Sequence, residues 1–373
     1  VAFTLADFDL AWLEPLLPEP LDWQGSLAGE GELRWTPEQG VDARMSAESG
    51  DGRLVMETRR ERDAEADDPE ADSEPVIQEL AYQRLALSGR YRPERAEAAL
   101  ELEAAEAGSA TLRVAGDPRP EGEAVSGSLA LDGLRLGLFR PLVPQLSELA
   151  GVARADIQLS GTRTEPRLDG ELELREGRVA APQSGSTVEA LDLRVELDGT
   201  EAAIDGDFRV GEGEATLDGT AAWRGGDWRL ALDLTGEELL ADVPPYAELA
   251  VSPRLGLSVE PGTVQLDGRV AIPSGRITVR ELPQQAVARS GDVVVVTERA
   301  EPEASPAPVS EGWRAEADVE VAVGDAVSLA ALGVRGRLTG SLRTLRHADG
   351  ALEAFGELRI ADGEYRAYGQ RLQ

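Results

Sequence analysis

The sequence predicts an all-β chain built from repeated strands, each apolar on one side and wet on the other. Three observations carry that expectation: period-two alternation along most of the length, turn residues at short intervals, and one strand phrase that recurs at distant positions. Gly 40 and Pro 22 in 373 residues supply the punctuation. Apolar residues make up 42% of the chain but aromatics only 4%, a balance that suits many thin strands better than one thick core.

The alternation is plain in several places. Leu193, Val195 and Leu197 share one side of a strand, as do Ile204, Gly206, Phe208 and Val210. Trp228, Leu230, Leu232 and Leu234 repeat the pattern, and so do Val319, Val321 and Val323. Successive strand side chains point to opposite faces, so each such strand has one apolar and one polar face. Asp198-Gly199, Gly211-Glu212-Gly213 and Gly225-Gly226-Asp227 read as turns between them. Strands of about 5–9 residues joined by short turns form an antiparallel meander. Helix signals are few: a short helix is expected in 139–152, ended by Gly151, with counterparts in 12–25 and 242–251. The expected segments are a β module over 1–58, an acidic disordered loop over 59–75, further β modules over 76–240 and a C-terminal β region over 241–373. A Pro-, Ala- and Glu-rich stretch at 298–312 reads as a second disordered loop.

The repeats set the organisation. "LDGELELREGRV" (168–179), "LDGRVAIPSGRI" (266–277) and "AFGELRIADGEY" (354–365) share a template. It runs glycine, strand, two turn residues, a second glycine, strand. Gly170, Gly268 and Gly356 take the first position; Gly177, Gly275 and Gly363 take the second. A second template aligns 16–35 with 142–161 without a gap, placing Gly25 on Gly151, and a looser copy spans 243–259. These are degenerate modules whose apolar faces no single module can bury alone.

Chemistry is scarce. With Asp+Glu 70 against Lys+Arg 37 the formal charge is −33, which argues against nucleic-acid binding and against a polybasic membrane patch. Cys is absent, so disulfides, thiol catalysis and thiolate metal sites are excluded. The one histidine, His347, is expected in an exposed turn, and without another His a serine triad is nearly excluded. The acidic run 205–214 lacks the ligand spacing of a calcium loop. No catalytic residue, metal or cofactor is expected. No stretch is apolar enough to span a bilayer as a helix. The chain opens on Val1 without a signal peptide, as expected of a piece of a longer protein.

The apolar faces remain to be explained. The commoner use of such faces is an ordinary sandwich core. Scarce aromatics and repeated modules favour the other use, the lining of a groove. The candidate lining residues in the first half are Leu172, Leu174, Leu193, Val195, Leu197 and Leu217. Further on they are Leu230, Leu232, Leu234, Val264, Leu266, Val270, Ile272, Ile277 and Val279. The last are Val319, Val321, Val323, Leu338, Leu342, Leu358 and Ile360.

The stretch "IPSGRITVRELPQQAVARSGDVVVV" (272–296), followed by "VRGRLTGSLRTL" and "FGELRIADGEYRAYGQRL", resembles the C-terminal region of the TamB family. The resemblance is strongest over 240–373, with Tyr368-Gly369-Gln370 its most specific piece, and the earlier modules resemble the family's divergent repeats. The family is one of structural motifs, so it implies no site residues. It implies an elongated β-sheet folded lengthwise into an open, taco-like trough with an apolar interior. It further implies a periplasmic protein of diderm bacteria, anchored in the inner membrane through a segment outside this chain. The implied partner is a TamA-like outer-membrane barrel.

The function expected is passive transport of phospholipid towards the outer membrane, with acyl chains lying on the apolar face. Each buried CH₂ is worth about 0.8 kcal/mol, so many shallow contacts suffice without stereospecific ones. Two other uses stay open: a scaffold that offers strand edges to unfolded outer-membrane proteins by β-augmentation, and a structural stalk or adhesin with a dry core.

Overall fold

In the computed structural model the chain is all-β. The residues described are 1–12, 21–38, 40–58, 76–104, 107–119, 122–143, 145–182, 184–279, 313–331, 333–347, 350–367 and 370–372. Both expected disordered loops, 59–75 and 298–312, lie outside them. No helix among the described residues is long and apolar enough to cross a membrane.

The chain divides into two units. The first holds Val1–Pro182, Val188–Gly206 and Ala222–Gly226; the second holds Gln183–Thr187, Asp207–Ala221 and Asp227–Gln373. In unit 1 the strands are β1 (Ala2–Asp9), β2 (Leu21–Gln24), β3 (Ser26–Thr36), β4 (Gly40–Ser49), β5 (Gly52–Thr58) and β6 (Val76–Tyr82). They continue as β7 (Arg84–Arg92), β8 (Arg95–Ala104), β9 (Gly108–Gly116), β10 (Val125–Arg135), β11 (Glu148–Gly161) and β12 (Pro166–Ala180). β1 pairs with β3, and β3, β4, β7, β8, β9, β10, β11 and β12 then follow one another, every pair antiparallel. β2, β5 and β6 form a small separate sheet. β13 (Thr187–Gly199), β14 (Glu201–Val210) and β15 (Gly213–Arg224) contain the stretches where the chain passes between units.

Unit 2 continues with β16 (Asp227–Glu237), β17 (Leu239–Val243), β18 (Ala247–Glu260), β19 (Thr263–Val279), β20 (Arg314–Ala331), β21 (Val334–Arg346), β22 (Leu352–Ala367) and β23 (Gln370–Leu372). β16 and β17 both pair with β18, and β18 to β23 are successive neighbours. One pair breaks the expected meander. β19 and β20 are parallel, in register from Thr263↔Arg314 to Val279↔Ala331. A parallel neighbour needs a connection that brings the chain back to its starting end. Residues 280–312 separate these two strands in sequence.

Two helix expectations are corrected, and most of the third lies outside the described residues. Only a 3-10 segment, Leu136–Leu142, lies near 139–152, and Glu148 onward is strand β11. Of 242–251, Asp242 and Val243 close β17 and Ala247–Val251 open β18. In 12–25, residues 21–24 are strand β2, and 13–20 lie outside the described residues. A short apolar run has no periodicity that separates helix from strand, and here antiparallel partners on the neighbouring strand decide it.

The strands are also longer than expected. Pro273-Ser274-Gly275, which reads as a turn, lies inside the 17-residue β19. The register shifts there against both neighbours, between Ala250 and Ser252 on β18 and between Ile272 and Ser274 on β19 itself. The template's "turn residues" are therefore β-bulges. A bulge inserts an extra residue and bends the strand without ending it. The extra residue also resets the alternation. Apolar positions in β19 are even-numbered from Val264 to Ile272 and odd-numbered at Ile277 and Val279, yet all face the same way through their β20 and β21 partners. Asp362 (φ 50°) marks the matching bulge in β22, and Glu176 (φ 53°) the one in β12.

The glycines that open the template are equivalent in space. Gly170, Gly268 and Gly356 have φ of 140°, 136° and 142°. A Cβ at each would lie 2.0, 2.2 and 2.2 Å from a carbonyl oxygen of the neighbouring strand, that of Asp156, Arg254 and Ser341 respectively. Only glycine tolerates both the conformation and the approach.

The best-buried polar knot lies at the small sheet. Tyr82 is 3% exposed and Ser49 is fully buried. The Tyr82 hydroxyl accepts from Trp23 Nε1 at 2.9 Å and shares a 2.9 Å hydrogen bond with Ser49 Oγ. Gly52 makes room for the phenol, since a Cβ there would overlap its oxygen. Tyr82→Phe would leave Trp23 Nε1 and Ser49 Oγ without that partner. The expected loss is about 1–3 kcal/mol, read as a lowered midpoint in urea unfolding, and an unchanged midpoint would show that the knot is not structural.

Candidate functional site

In unit 2 the registers assemble one continuous apolar face from six strands. Leu232 of β16 is opposite Leu257 of β18, which is opposite Leu266 of β19, which is opposite Ala317 of β20. The next row inward runs Leu234, Leu255, Gly268, Val319. Then comes Pro253, Val270, Val321, Leu342 and Gly356, followed by Ile272, Val323, Gly340 and Leu358. Leu230 and Val264 share the row through Val259, and Leu338 pairs with Ile360. Beyond the bulge Ile277 lies beside Leu329, and Val279 beside Ala331. Trp228 and Trp313 flank this face, their ring centroids 6.3 Å apart and tilted by 45°.

Of the remaining expected residues, Leu172 and Leu174 lie opposite Ala155 and Ala153 in unit 1. Leu193, Val195 and Leu197 alternate along β13, and Leu217 sits in β15 of unit 2.

Among the described residues these side chains are not covered to the extent a core requires. Among the described residues the buried apolar side chains are Leu10, Tyr82, Leu134, Val210, Leu239, Val327, five alanines and Pro253 of the face's central row, and none of the expected lining residues is among them. Those residues are half-buried, apart from Leu358 at 40% and Ile360 at 47% exposed. Core residues of a sandwich would be covered almost completely.

Unit 1 carries a second apolar face that sequence reasoning missed. Leu5, Gly29, Ala47, Leu87, Leu100, Leu112, Leu129 and Ile157 lie opposite one another across eight strands. Phe3, Gly31, Met45, Gly89, Ala98 and Val114 form the adjacent row. Phe3 is 61%, Met45 50% and Leu87 42% exposed. The alternation exists in the sequence, but Gly and Ala occupy so many of the apolar positions that it does not stand out. A cleft of unit 1 is bordered by residues of β1, β3, β4 and β7 to β11, among them Phe3, Met45 and Val114 together with polar neighbours such as Ser46 and Arg90. Eight strands laid flat would span about 34 Å at ~4.8 Å spacing, so a shared cleft means that this sheet curls.

The opposite faces are wet and ion-paired. Arg343 donates Nε to Asp318 Oδ1 at 2.7 Å and Nη2 to Oδ2 at 2.5 Å. That hydrogen-bonded guanidinium holds the Asp318 carboxyl below its ordinary range. The Arg119 guanidinium does the same for Asp117. A lowered carboxylate stabilises the fold above its unfolded value and ceases to do so as the pH falls through the folded one. Arg343→Gln should therefore lower the thermal midpoint at pH 7. The gap from wild type should close on acidification below the ordinary Asp value of about 3.9. A gap that persisted in acid would rule out the pair as its cause.

His347 is exposed, as the sequence suggests. It lies in a turn closed by Gly350 N to His347 O at 2.8 Å, and its Nε2 is 3.5 Å from Glu353. No cluster of metal-ligating side chains occurs among the described residues.

Fold and faces together define a class: a repeat-built β-sheet protein that presents uncovered apolar surface from long, bulged strands. Residues 1–174 match the family model described as "TamB, N-terminal domain" and residues 202–373 the one described as "TamB C-terminal domain". The chain belongs to the TamB family. It is similar to the translocation and assembly module subunit TamB of Haemophilus influenzae, at 25% identity over 255 residues. That alignment covers 66% of this chain and 20% of the relative, so the chain spans about a fifth of that protein's length. No solved structure matches.

Proposed function

We propose that the chain is a segment of a periplasmic lipid conduit in which the apolar faces of the strands carry phospholipid acyl chains towards the outer membrane. The observation that supports this reading most is the row structure of unit 2, where aliphatic side chains from six strands share one face and stay incompletely covered. Uncovered apolar surface on this scale is unfavourable in water and calls for an occupant. An acyl chain meets that need without directional contacts. Val, Leu and Ile supply dispersion and exclude water, while the ion-paired faces stay hydrated. Movement along such a surface breaks and remakes equivalent contacts, so it needs neither nucleophile nor cofactor. On this reading the chain takes part in a translocation and assembly module, as the name of its relative indicates. Its partner would be a TamA-like barrel, and an inner-membrane anchor would lie elsewhere in the full protein.

Lipid extraction and mass spectrometry of the purified chain test the proposal. Co-purified phospholipid at stoichiometric amounts is the expected result. Bound β-rich peptide without lipid would favour the scaffold reading, and neither would favour a structural stalk.

A further inference from the structure

The apolar face of unit 2 carries a single charge among the described residues, and that charge lies at one end of the face. On β21, Leu342, Thr344 and Arg346 alternate onto the same side. They pair with Val321, Val319 and Ala317 of β20 and with Gly356, Ala354 and Leu352 of β22. Arg346 therefore belongs to the apolar side of the sheet, and its neighbours across both ladders are an alanine and a leucine, not a carboxylate. It is exposed, and its side chain makes no ion pair or hydrogen bond among the described residues. Thr344 beside it is committed, since its hydroxyl donates to the Val319 carbonyl at 3.1 Å. Arg343, on the opposite face, is held by Asp318. The two tryptophans stand at the same end of the strands. Trp228 opens β16 on the side of Leu230, and Trp313 precedes β20 four residues beyond Ala317. They are 39% and 40% exposed. The other end of the face is closed: at the bulges Leu239 is 7% and Val327 0% exposed, and Pro253 is buried.

An apolar face that ends in paired indoles and a guanidinium has the order of groups met at a lipid surface. Indole rings favour the level where hydrocarbon gives way to head groups, and arginine keeps its charged end in the wet zone beside it. A guanidinium with no carboxylate across either ladder gains from a phosphate that arrives with the acyl chains, because its planar fork forms charge-assisted hydrogen bonds to phosphate oxygens. The lengths agree. From Arg346 to the bulge at Gly336 the chain runs ten residues, roughly 33 Å at ~3.3 Å per residue. An acyl tail needs about 15 Å, half of a ~30 Å hydrocarbon core. Tails laid along the strands therefore fit between the open end and the bulges. We propose that Arg346 holds the phosphate of a phospholipid at this end of the unit 2 face, with Trp228 and Trp313 on the head-group side and the acyl chains running along the strands towards the bulges. The site rests on the conduit reading and adds to it a head-group contact and a fixed orientation of the lipid.

The test is isothermal titration of the full chain with two monomeric probes that share acyl chains, dihexanoyl phosphatidic acid and dihexanoylglycerol. Wild type should bind the phosphatidic acid tighter by about fivefold or more. Arg346→Gln should melt as wild type does, since the side chain is exposed, lose that preference and keep its affinity for dihexanoylglycerol. Arg346→Lys should keep part of the preference, and Arg359→Gln, which removes an exposed partner of Glu357, should keep all of it. Inorganic phosphate alone should bind far more weakly than the phosphatidic acid, because the acyl chains supply most of the affinity; equal affinity would mark a free-anion site and overturn the proposal. Equal affinity of wild type for the two lipids, or a preference that survives Arg346→Gln, overturns the head-group site and leaves the conduit reading standing. Binding of neither lipid sinks both. Orientation is read from chain loaded with phosphatidylglycerol brominated near the ester or near the methyl end. The quenching that is lost on replacing Trp228 and Trp313 together by Phe should be stronger for bromine near the ester, and equal or reversed quenching overturns the orientation.

Discussion

Val321→Asp is expected to abolish acyl-chain binding by unit 2 while leaving the unit folded. Val321 occupies the centre of the apolar face, between Val270 and Leu342, and is only partly buried. A carboxylate there keeps access to water when the face is empty, so the apo fold loses little. Once an acyl chain covers the face the charge is stranded without a partner, and that is unfavourable by several kcal/mol. Binding of a fluorescent fatty acid should fall at least tenfold. The thermal midpoint should move by no more than a few degrees, since about 1 kcal/mol shifts a unit of this size by ~2–4 °C. Val270→Asp should behave alike. Were either substitution to unfold the unit, the residue would be core and the face would not be a binding surface.

Gly268→Val is the substitution with the largest expected effect on folding. Gly268 holds φ at 136°, and a Cβ would come within 2.2 Å of the Arg254 carbonyl oxygen and 3.0 Å of Leu255 Cα. Both atoms are backbone of the paired strand β18, so neither yields without breaking the ladder. The backbone conformation alone is unfavourable for a β-branched residue by about 1–3 kcal/mol, and the steric overlap adds to it. Unfolding of unit 2 at room temperature, or a large drop in the urea midpoint, is expected. Gly350→Ala is the matched control: φ is 86° there, but nothing lies within 4 Å, so only the conformational term applies. Equal effects at the two positions would show that the close strand approach does not matter.

The strand faces were legible in the sequence because alternation is a local property. Val319, Val321 and Val323 announce their shared side without reference to any neighbour. The equivalence of Gly170, Gly268 and Gly356 was legible for the same reason, since each copy of the template needs the same backbone conformation. Strand length was not. Pro273-Ser274-Gly275 has the composition of a turn, and only pairing on both sides keeps the chain extended through it. Strand orientation was equally hidden: nothing local distinguishes β20 lying parallel to β19 from an antiparallel hairpin partner. The face of unit 1 escaped because Gly29, Gly31, Gly89 and Ala98 contribute small residues where a longer aliphatic would have marked the pattern.

Photocrosslinking from single positions tests the account most directly. A photoreactive side chain at Val321 projects from the apolar face of unit 2, and one at Arg343 from the opposite face. In cells making the full protein, phospholipid adducts should form from position 321 and be absent from position 343. Equal lipid labelling from the two positions, or protein adducts alone from 321, would contradict the claim that lipid occupies this face.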